Sequence, residues 1–529
     1  MSVTADYVEA VLRRAREPME PSDYSPRWAD RPYRTKLYRG ATRIPLPEPT
    51  AHPSTADEPF PVGAGPAFDL DSLSTMLHRS YGLHSRRMRL TGNEDSPALI
   101  SFEHASWARG TASGGGLYAG EVYWVAGPSG PLAPGVYHYS HPHHALNRLL
   151  AGDVTDQVRA AVPGLGADHY LLVSVKIWKN SFKYNSFSYH VVTMDVGTLL
   201  GTWGTWAGAT GRRIDAAMWF DEPALNDLLG LDGTGESVLA AVPLSWEGAS
   251  MPVAVSTGSP GVSGGPSGAR VRRIETERSR DVVGFPAVQA VQRACLNDAG
   301  PVPTGPCLER ALPRPRSSAD PVAVPVPDGG SLDVDVERSL CGRRSSFGAF
   351  SATPELPSAT LAGVLGYAAS NGGLSTEATE GAGQTLTRCV VFATHVAGLV
   401  EGTYEYVDRS FRAVEHGAVG RFLQWNYFLN NYNLEQAAAT IAVLGRPRAV
   451  IEAIGDRGYR LLNAEVGAVA QAVYLAAAAA DVGCGAVLGF DNVAIAERLG
   501  LAESDEWPML LIMIGNERVG APEFDLRLD

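Results

Sequence analysis

The dodecapeptide FDEPALNDLLGL, residues 220–231, returns near the other end of the chain as FDNVAIAERLGL, residues 490–501, a spacing of 270 residues. Other features keep that spacing: Tyr189 and Tyr459, Asp195 and Glu465, Gly197 and Gly467. Further upstream GVYHY at 135–139 answers GTYEY at 402–406, and Arg79-Ser80 answers Arg344-Ser345. A register held over separated features points to duplication within the chain. Solenoid repeats run ~20–50 residues, so this period describes two similar domains instead. Two homologous folds on one polypeptide are expected to pack as a homodimer does, with a site at their joint.

Each copy has the same local grammar. Thr193 and Asn463 are helix N-cap residue types, each followed two positions on by an acid, Asp195 or Glu465, which suits the positive end of a helix dipole. The runs that follow, VGTLLGTWGTWAG and VGAVAQAVYLAAAAA, are apolar nearly all round and predict central helices buried on several sides. YLLVSVKIW at 170–178 has the β-branched look of a strand, with a buried helix as the alternative. EVYWVAG with GVYHYS, and RCVVFATHV with GTYEYV, read as strand pairs. Helices and strands mix without strict βαβ alternation, so the expected class is α+β.

The breaks are compositional. Residues 251–269 are Gly, Ser and Pro, residues 297–330 are studded with proline, and 42–68 is a third Pro-rich segment. The expected organisation is an N-terminal arm (1–68), a first domain (69–250), a linker region (251–335) and a second domain (336–529). With 45% hydrophobic residues in 529 the chain can build a large core, and its net charge of −13 makes it a poor non-specific partner for nucleic acid. The five cysteines form no Cys-x-x-Cys pair, and the first 18 residues are helical and charged rather than signal-like, which favours the cytoplasm. The most apolar stretch, 472–490, is Ala-rich and interrupted by Asp481, so a buried helix and loop is expected there rather than a membrane span.

The segments TASGGGLYAGEVYWV, PGVYHYSHPHHAL, KNSFKYNSFSYHVVTMDVG and GRRSSFGAF resemble the SagB-type (McbC-like) dehydrogenases of the nitroreductase superfamily, over about residues 70–250 and 336–520. The arm YSPRWADRPYRTKLYRGATRIPLP is similar to the lead-in of the long, two-domain members. The resemblance implies tandem nitroreductase-like domains forming an intrachain pseudo-dimer, with FMN bound between them. It also implies the activity: FMN-dependent oxidation of thiazoline or oxazoline rings to thiazole or oxazole in a ribosomally made peptide, with oxygen as final acceptor. The implied partners are an azoline-bearing precursor peptide and a cyclodehydratase or leader-binding protein, and a homodimer is compatible with it.

The family's residues carry over by position. The phosphate motif Arg-x-Ser-x-basic is matched by Arg343, Arg344 and Ser345, because a dianion wants guanidinium forks and a hydroxyl donor. Phe347 stands where a second basic residue is usual, and Arg518 is a candidate replacement. The first copy keeps only His78-Arg79-Ser80-Tyr81. The flavin-side loop is matched by Ser113, Gly114, Gly115 and Gly116, although the family's proline is lost at Ala119. Gly489 opens a retained Gly-Phe-Asp element, whereas Trp219 precedes Phe220-Asp221 in the other copy. Such complementary losses imply one FMN per chain. The catalytic Lys-Tyr pair is matched by Lys183 and Tyr184, one of which would take the proton that leaves as a hydride goes to flavin. The second copy has Asp456-Arg457-Gly458-Tyr459 there.

Plainer readings suit other features. His138, His141, His143 and His144 lie in a strand-turn, and no metal is expected. Trp203, Trp206 and Trp219 are expected in the core, Glu503, Asp505 and Glu506 in a solvated turn, and Cys484 in a flavin-side loop without an activating partner. Two other functions fit the same residues: an NAD(P)H-dependent flavin reductase acting on dehydroalanine or nitro groups, and a non-catalytic subunit of a peptide-modifying complex.

Overall fold

In the computed structural model the two apolar runs are 22-residue helices, Ser188–Ala209 and Gly458–Ala479, again 270 residues apart. The structure describes residues 2–50, 65–91, 101–102, 106–164, 166–249, 268–298, 300–314, 323–324, 332–346, 348, 350–379, 385–407, 409–429, 431–501, 504–518 and 523–528. The helices pack on each other along their length. Gly197 and Gly467, paired in the sequence, mark the contact. A Cβ on Gly197 would lie 1.7 Å from the Ala464 carbonyl oxygen, and one on Gly467 2.0 Å from that of Met194. Only a residue without a side chain allows backbones so close. Asn463 Nδ2 donates to Thr193 Oγ1 at 2.9 Å across the same seam.

Each helix lies under an antiparallel sheet. The first sheet runs Thr42–Pro45, Ala145–Ala151, Gly135–Ser140, Gly120–Ala126, His169–Lys176 and Glu236–Leu244 in spatial order. The second runs Ala323–Val324, Ser410–His416, Gly402–Val407, Thr387–Ala393, Ala439–Gly445 and Trp507–Glu517, with Phe350–Ser351 and Gly483–Val487 both pairing with the last. The second repeats the first's strand order, as duplication requires. One hydrophobic cluster extends from Leu73 and Trp203 through Val466 and Ile514, so the two halves share a core. Gly458–Ala479 is long and apolar enough to span a membrane, but it is nearly all buried in that core.

The chain ends bind the halves together. Helix Val3–Arg13 packs on Pro286–Asn297, Pro447–Ile454 and Asn492–Arg498, while the arm's strand Thr42–Pro45 edges the first sheet. Strand Glu523–Arg527 pairs with Ser85–Thr91 of the first half. A buried ionic cluster also crosses the joint: Arg460 Nη1 reaches Glu222 Oε2 at 2.7 Å, Arg460 Nε donates to Tyr189 Oη at 2.6 Å, and Gln292 Nε2 donates to Glu222 Oε1 at 3.0 Å.

Several local expectations are corrected. Thr193 and Asn463 cap nothing: the helices begin five residues earlier, at Ser188 and Gly458, because an all-apolar helix carries no polar face to mark its start. Residues 169–176 are strand, not helix. Glu506 is buried and forms a two-pronged pair with Arg388 at 2.8 Å, so the acid run is not a solvated turn, and Glu503 lies outside the described residues. Cys484 sits in a strand, where burial pushes its thiol up. The Pro-rich stretches contain the strand Thr42–Pro45 and helix Gly305–Leu308, while 51–64, 251–267, 315–322 and 325–331 lie outside the described residues.

Candidate functional site

A cavity of about 1610 Å³ opens between the halves and is lined from both. Its first-half wall is the glycine-rich strap. Gly115 and Gly116 sit at φ of +63° and +64°, so the strap turns where a β-carbon would be strained. Asp195, inside the central helix rather than at its start, holds the strap: Ser113 Oγ donates to Oδ2 at 2.6 Å and the Gly114 N–H to Oδ1 at 2.7 Å. Burial raises the Asp195 carboxyl to about 6, against those two donors, which pull it down. The opposite half grips the same strap, since the Ala112 N–H donates to Gln471 Oε1 and Gln471 Nε2 to the Gly110 carbonyl, both at 2.9 Å.

Lys183 and Tyr184 end the short helix Trp178–Tyr184. Asn185 terminates it at φ +43°, ψ −132°, a conformation non-glycine residues rarely adopt and one that clusters at functional sites. Both side chains line the cavity and meet the strap. A β-carbon placed on Gly115 would lie 2.5 Å from Tyr184 Oη and 3.2 Å from Lys183 Nζ. Two motifs some 70 residues apart in the chain are thus brought into contact. The helix is anchored from behind by Lys179, one turn earlier, whose Nζ bonds Glu121 Oε1 at 2.8 Å in a buried pair; Glu121 Oε2 in turn faces His138 Nε2 at 2.9 Å. Burial alone would raise Glu121, yet Lys179 and His138 hold it well below the carboxylate range. The arm covers the same helix: Tyr24 Oη donates to the Phe182 carbonyl at 2.7 Å and Trp28 packs edge-on to Phe182.

The second-half wall carries Arg343, Arg344, Ser345 and the Leu488-Gly489 turn. Arg343 is buried; its Nη2 donates to the Arg109 carbonyl at 2.9 Å and its Nε has no partner. Arg344 faces Glu517 at 3.3 Å, and Ser345 Oγ lies 3.0 Å from Tyr474 Oη. Arg518 is not brought to this wall: its Nε donates to the Phe350 carbonyl at 3.0 Å across the edge ladder, and it does not line the cavity. Phe347 lies outside the described residues. Sequence reasoning missed Arg109, a buried cavity-lining guanidinium, and Gln471; both are single polar residues with no motif around them.

The four histidines are occupied by protein partners: His138 by Glu121, His141 by Arg109 and Thr35, His143 by Ser140, His144 by Ser74 and Tyr139. In the 270-residue register the first half carries bulkier residues at several of the corresponding positions. Trp203 and Trp206 stand where the second half has Val473 and Ala476, and Trp219 where it has Gly489. All three are buried. Trp203 Nε1 donates to Ser80 Oγ at 2.9 Å, and Glu377 takes the Met218 and Trp219 N–H groups at 2.6 and 2.5 Å.

Comparison with known proteins accords with this layout. Residues 341–516 match the nitroreductase family. The same fold covers the whole chain: a nitroreductase-titled structure from Anabaena variabilis superposes with a TM-score of 0.69 at 22% identity, covering 98% of this chain and 100% of that one. The tandem α+β arrangement is therefore the nitroreductase fold used twice. Smaller matches include the E. coli microcin synthetase McbBCD complex with truncated pro-MccB17 (15% identity, 40% of this chain, 88% of that chain, TM-score 0.28). Another is an FMN-bound nitroreductase-titled protein from Exiguobacterium sibiricum (16% identity, 36% and 92%, TM-score 0.25). No curated protein matches the chain.

Proposed function

We propose that this chain is an FMN-dependent dehydrogenase that aromatises thiazoline or oxazoline rings in a ribosomally made peptide. The observation that carries the reading is the contact of Lys183 and Tyr184 with the Gly115 turn inside the cavity shared by the halves. The residues present suit FMN. The strap offers glycine backbone that a planar ring can approach, the Leu488-Gly489 turn faces it, and buried guanidinium N–H groups lack acceptors. Bound there, the flavin would supply a hydride acceptor.

The chain's own residues do the rest. Aromatisation removes two hydrogens, one with its electron pair and one as a proton, and the proton must reach a base. Tyr184 Oη and Lys183 Nζ converge on one turn; whichever of them is deprotonated, as phenolate or neutral amine, would take that proton, and the other can relay it. Asp195 and Gln471 fix the strap against which the ring plane would lie, and Lys179 with Glu121 fixes the helix that presents the pair. Trp28 and the exposed Phe428 and Leu429 flank the opening, a surface suited to an apolar peptide segment. The complementary losses of the two halves, with Arg343-Arg344-Ser345 and Gly489 kept in one and the glycine strap in the other, favour one FMN per chain. A cyclodehydratase or leader-binding protein is the expected partner.

The test is turnover of a synthetic azoline peptide by the FMN-loaded protein, read by mass as loss of two hydrogens per ring. Azole formation with wild type, and none with Lys183→Ala plus Tyr184→Phe at unchanged flavin content, supports the reading. Equal turnover by the double variant contradicts the roles assigned. Rapid bleaching of the flavin by NAD(P)H without peptide would instead favour a reductase.

A further inference from the structure

We propose that Arg109 of the first half and Arg343 of the second form one anion site, built across the joint for the dianionic phosphomonoester of a flavin nucleotide. The proposal rests on the flavin reading above and adds a residue that no motif supplies.

Arg109 is 3% exposed and lines the cavity. Its guanidinium stacks 3.8 Å from the Tyr118 ring centroid and 4.7 Å from that of Tyr81. Nη2 donates to His141 Nε2 at 2.9 Å, and Nε and Nη1 have no partner. Arg343 is 6% exposed, donates through Nη2 to the Arg109 main-chain carbonyl, and leaves Nε unpartnered. The bond to that carbonyl ties the two residues together.

Charge selects the ligand class. Among the described residues neither cation forms an ion pair, whereas neighbouring Arg344 already faces Glu517. His141 brings no compensating charge: burial and Arg109 hold it neutral, well below the usual histidine range, so it serves only as an acceptor. Leaving a buried cation uncompensated is costly, which marks the place as made for an anion. A phosphomonoester carries about −1.5 to −2 at neutral pH and matches two guanidiniums; a lone carboxylate would leave one of them unpaired. The phosphate also has enough oxygens to accept from two forks. Arg109 thereby supplies the cation that Phe347 does not.

The experiment compares FMN with riboflavin, which differ by that phosphate, in binding to the flavin-stripped full chain, followed by fluorescence quenching. Wild type should prefer FMN. R109Q should weaken FMN by on the order of 10- to 100-fold, the loss of a charge-assisted pair, and leave riboflavin unchanged. An unaltered FMN-to-riboflavin ratio in R109Q overturns the proposal. If R109Q does not fold, R109K, which keeps charge and stem but not the fork, should lower the ratio several-fold, and an unaltered ratio there is equally fatal. A wild type that binds neither flavin refutes the flavin reading alone. Thermal shift with inorganic phosphate then decides the anion site: stabilisation of wild type but not of the variant supports it, and equal or absent shifts refute it.

Discussion

Replacing Asp195 with asparagine should make the protein less sensitive to pH while loosening the strap. Burial raises this carboxyl from 3.8 to about 6, so keeping it ionised at neutral pH costs about 3 kcal/mol, at about 1.4 kcal/mol per tenfold. The sign follows from proton uptake. Between the unfolded and folded values the folded chain binds the extra proton, so stability falls as pH rises from about 4 to about 6 and is level above that. An asparagine side chain at this position would be neutral throughout and could still accept from the Gly114 N–H. Urea unfolding of wild type and D195N across this range should therefore show a difference that grows in the variant's favour up to about pH 6, reaching at most about 3 kcal/mol. The strap meanwhile loses a charge-assisted bond from Ser113, worth about 1.5–3 kcal/mol, so flavin binding should weaken although the fold is no less stable. A stability difference that is flat with pH, or flavin affinity unchanged in D195N, would refute the reasoning.

Glu465, the repeat partner of Asp195, is raised by burial to about 7 and holds Thr387 in the same manner, so E465Q should remove a second pH-dependent loss whose midpoint lies about one pH unit higher in unfolding curves. Gly467→Ala drives a methyl to 2.0 Å from the Met194 carbonyl oxygen; backbone cannot yield as a side chain can, and calorimetry should show a loss of at least about 1–3 kcal/mol. Glu222→Ala leaves the buried cations Arg460 and Arg457 uncompensated and should cost about 3–5 kcal/mol in denaturant unfolding. Gly115→Ala puts a β-carbon 2.5 Å from Tyr184 Oη at a positive φ and should reduce azoline turnover more than it reduces stability.

The duplication was legible because helices and their glycine contact kept one register: Gly197 and Gly467 are paired both in the sequence and across the seam. The strap and the Lys-Tyr pair stood out as local motifs, a glycine run and an adjacent Lys-Tyr, and the structure brings the two into contact. The polar residues between helices were not. Thr193 and Asn463 look like caps, yet they bond each other inside the seam, and only the packing of two helices reveals that. Glu506 looks solvated because its partner Arg388 is 118 residues away. Arg109 carries no local pattern, and Arg518, the candidate replacement for the basic residue missing at 347, is drawn instead to the Phe350 carbonyl beside an edge-strand pairing. What escaped the sequence was the partner choice of single charged residues, a property of tertiary contact alone.

The most direct test of a single flavin shared between unequal halves is the visible spectrum of the purified, FMN-saturated chain together with its bound flavin per polypeptide. The account predicts a yellow protein holding one FMN per chain, with the count unchanged when Arg79, the first-half counterpart of Arg344, is mutated and abolished when Arg343 and Arg109 are both replaced. A chain that binds two, or none under saturating FMN, contradicts it.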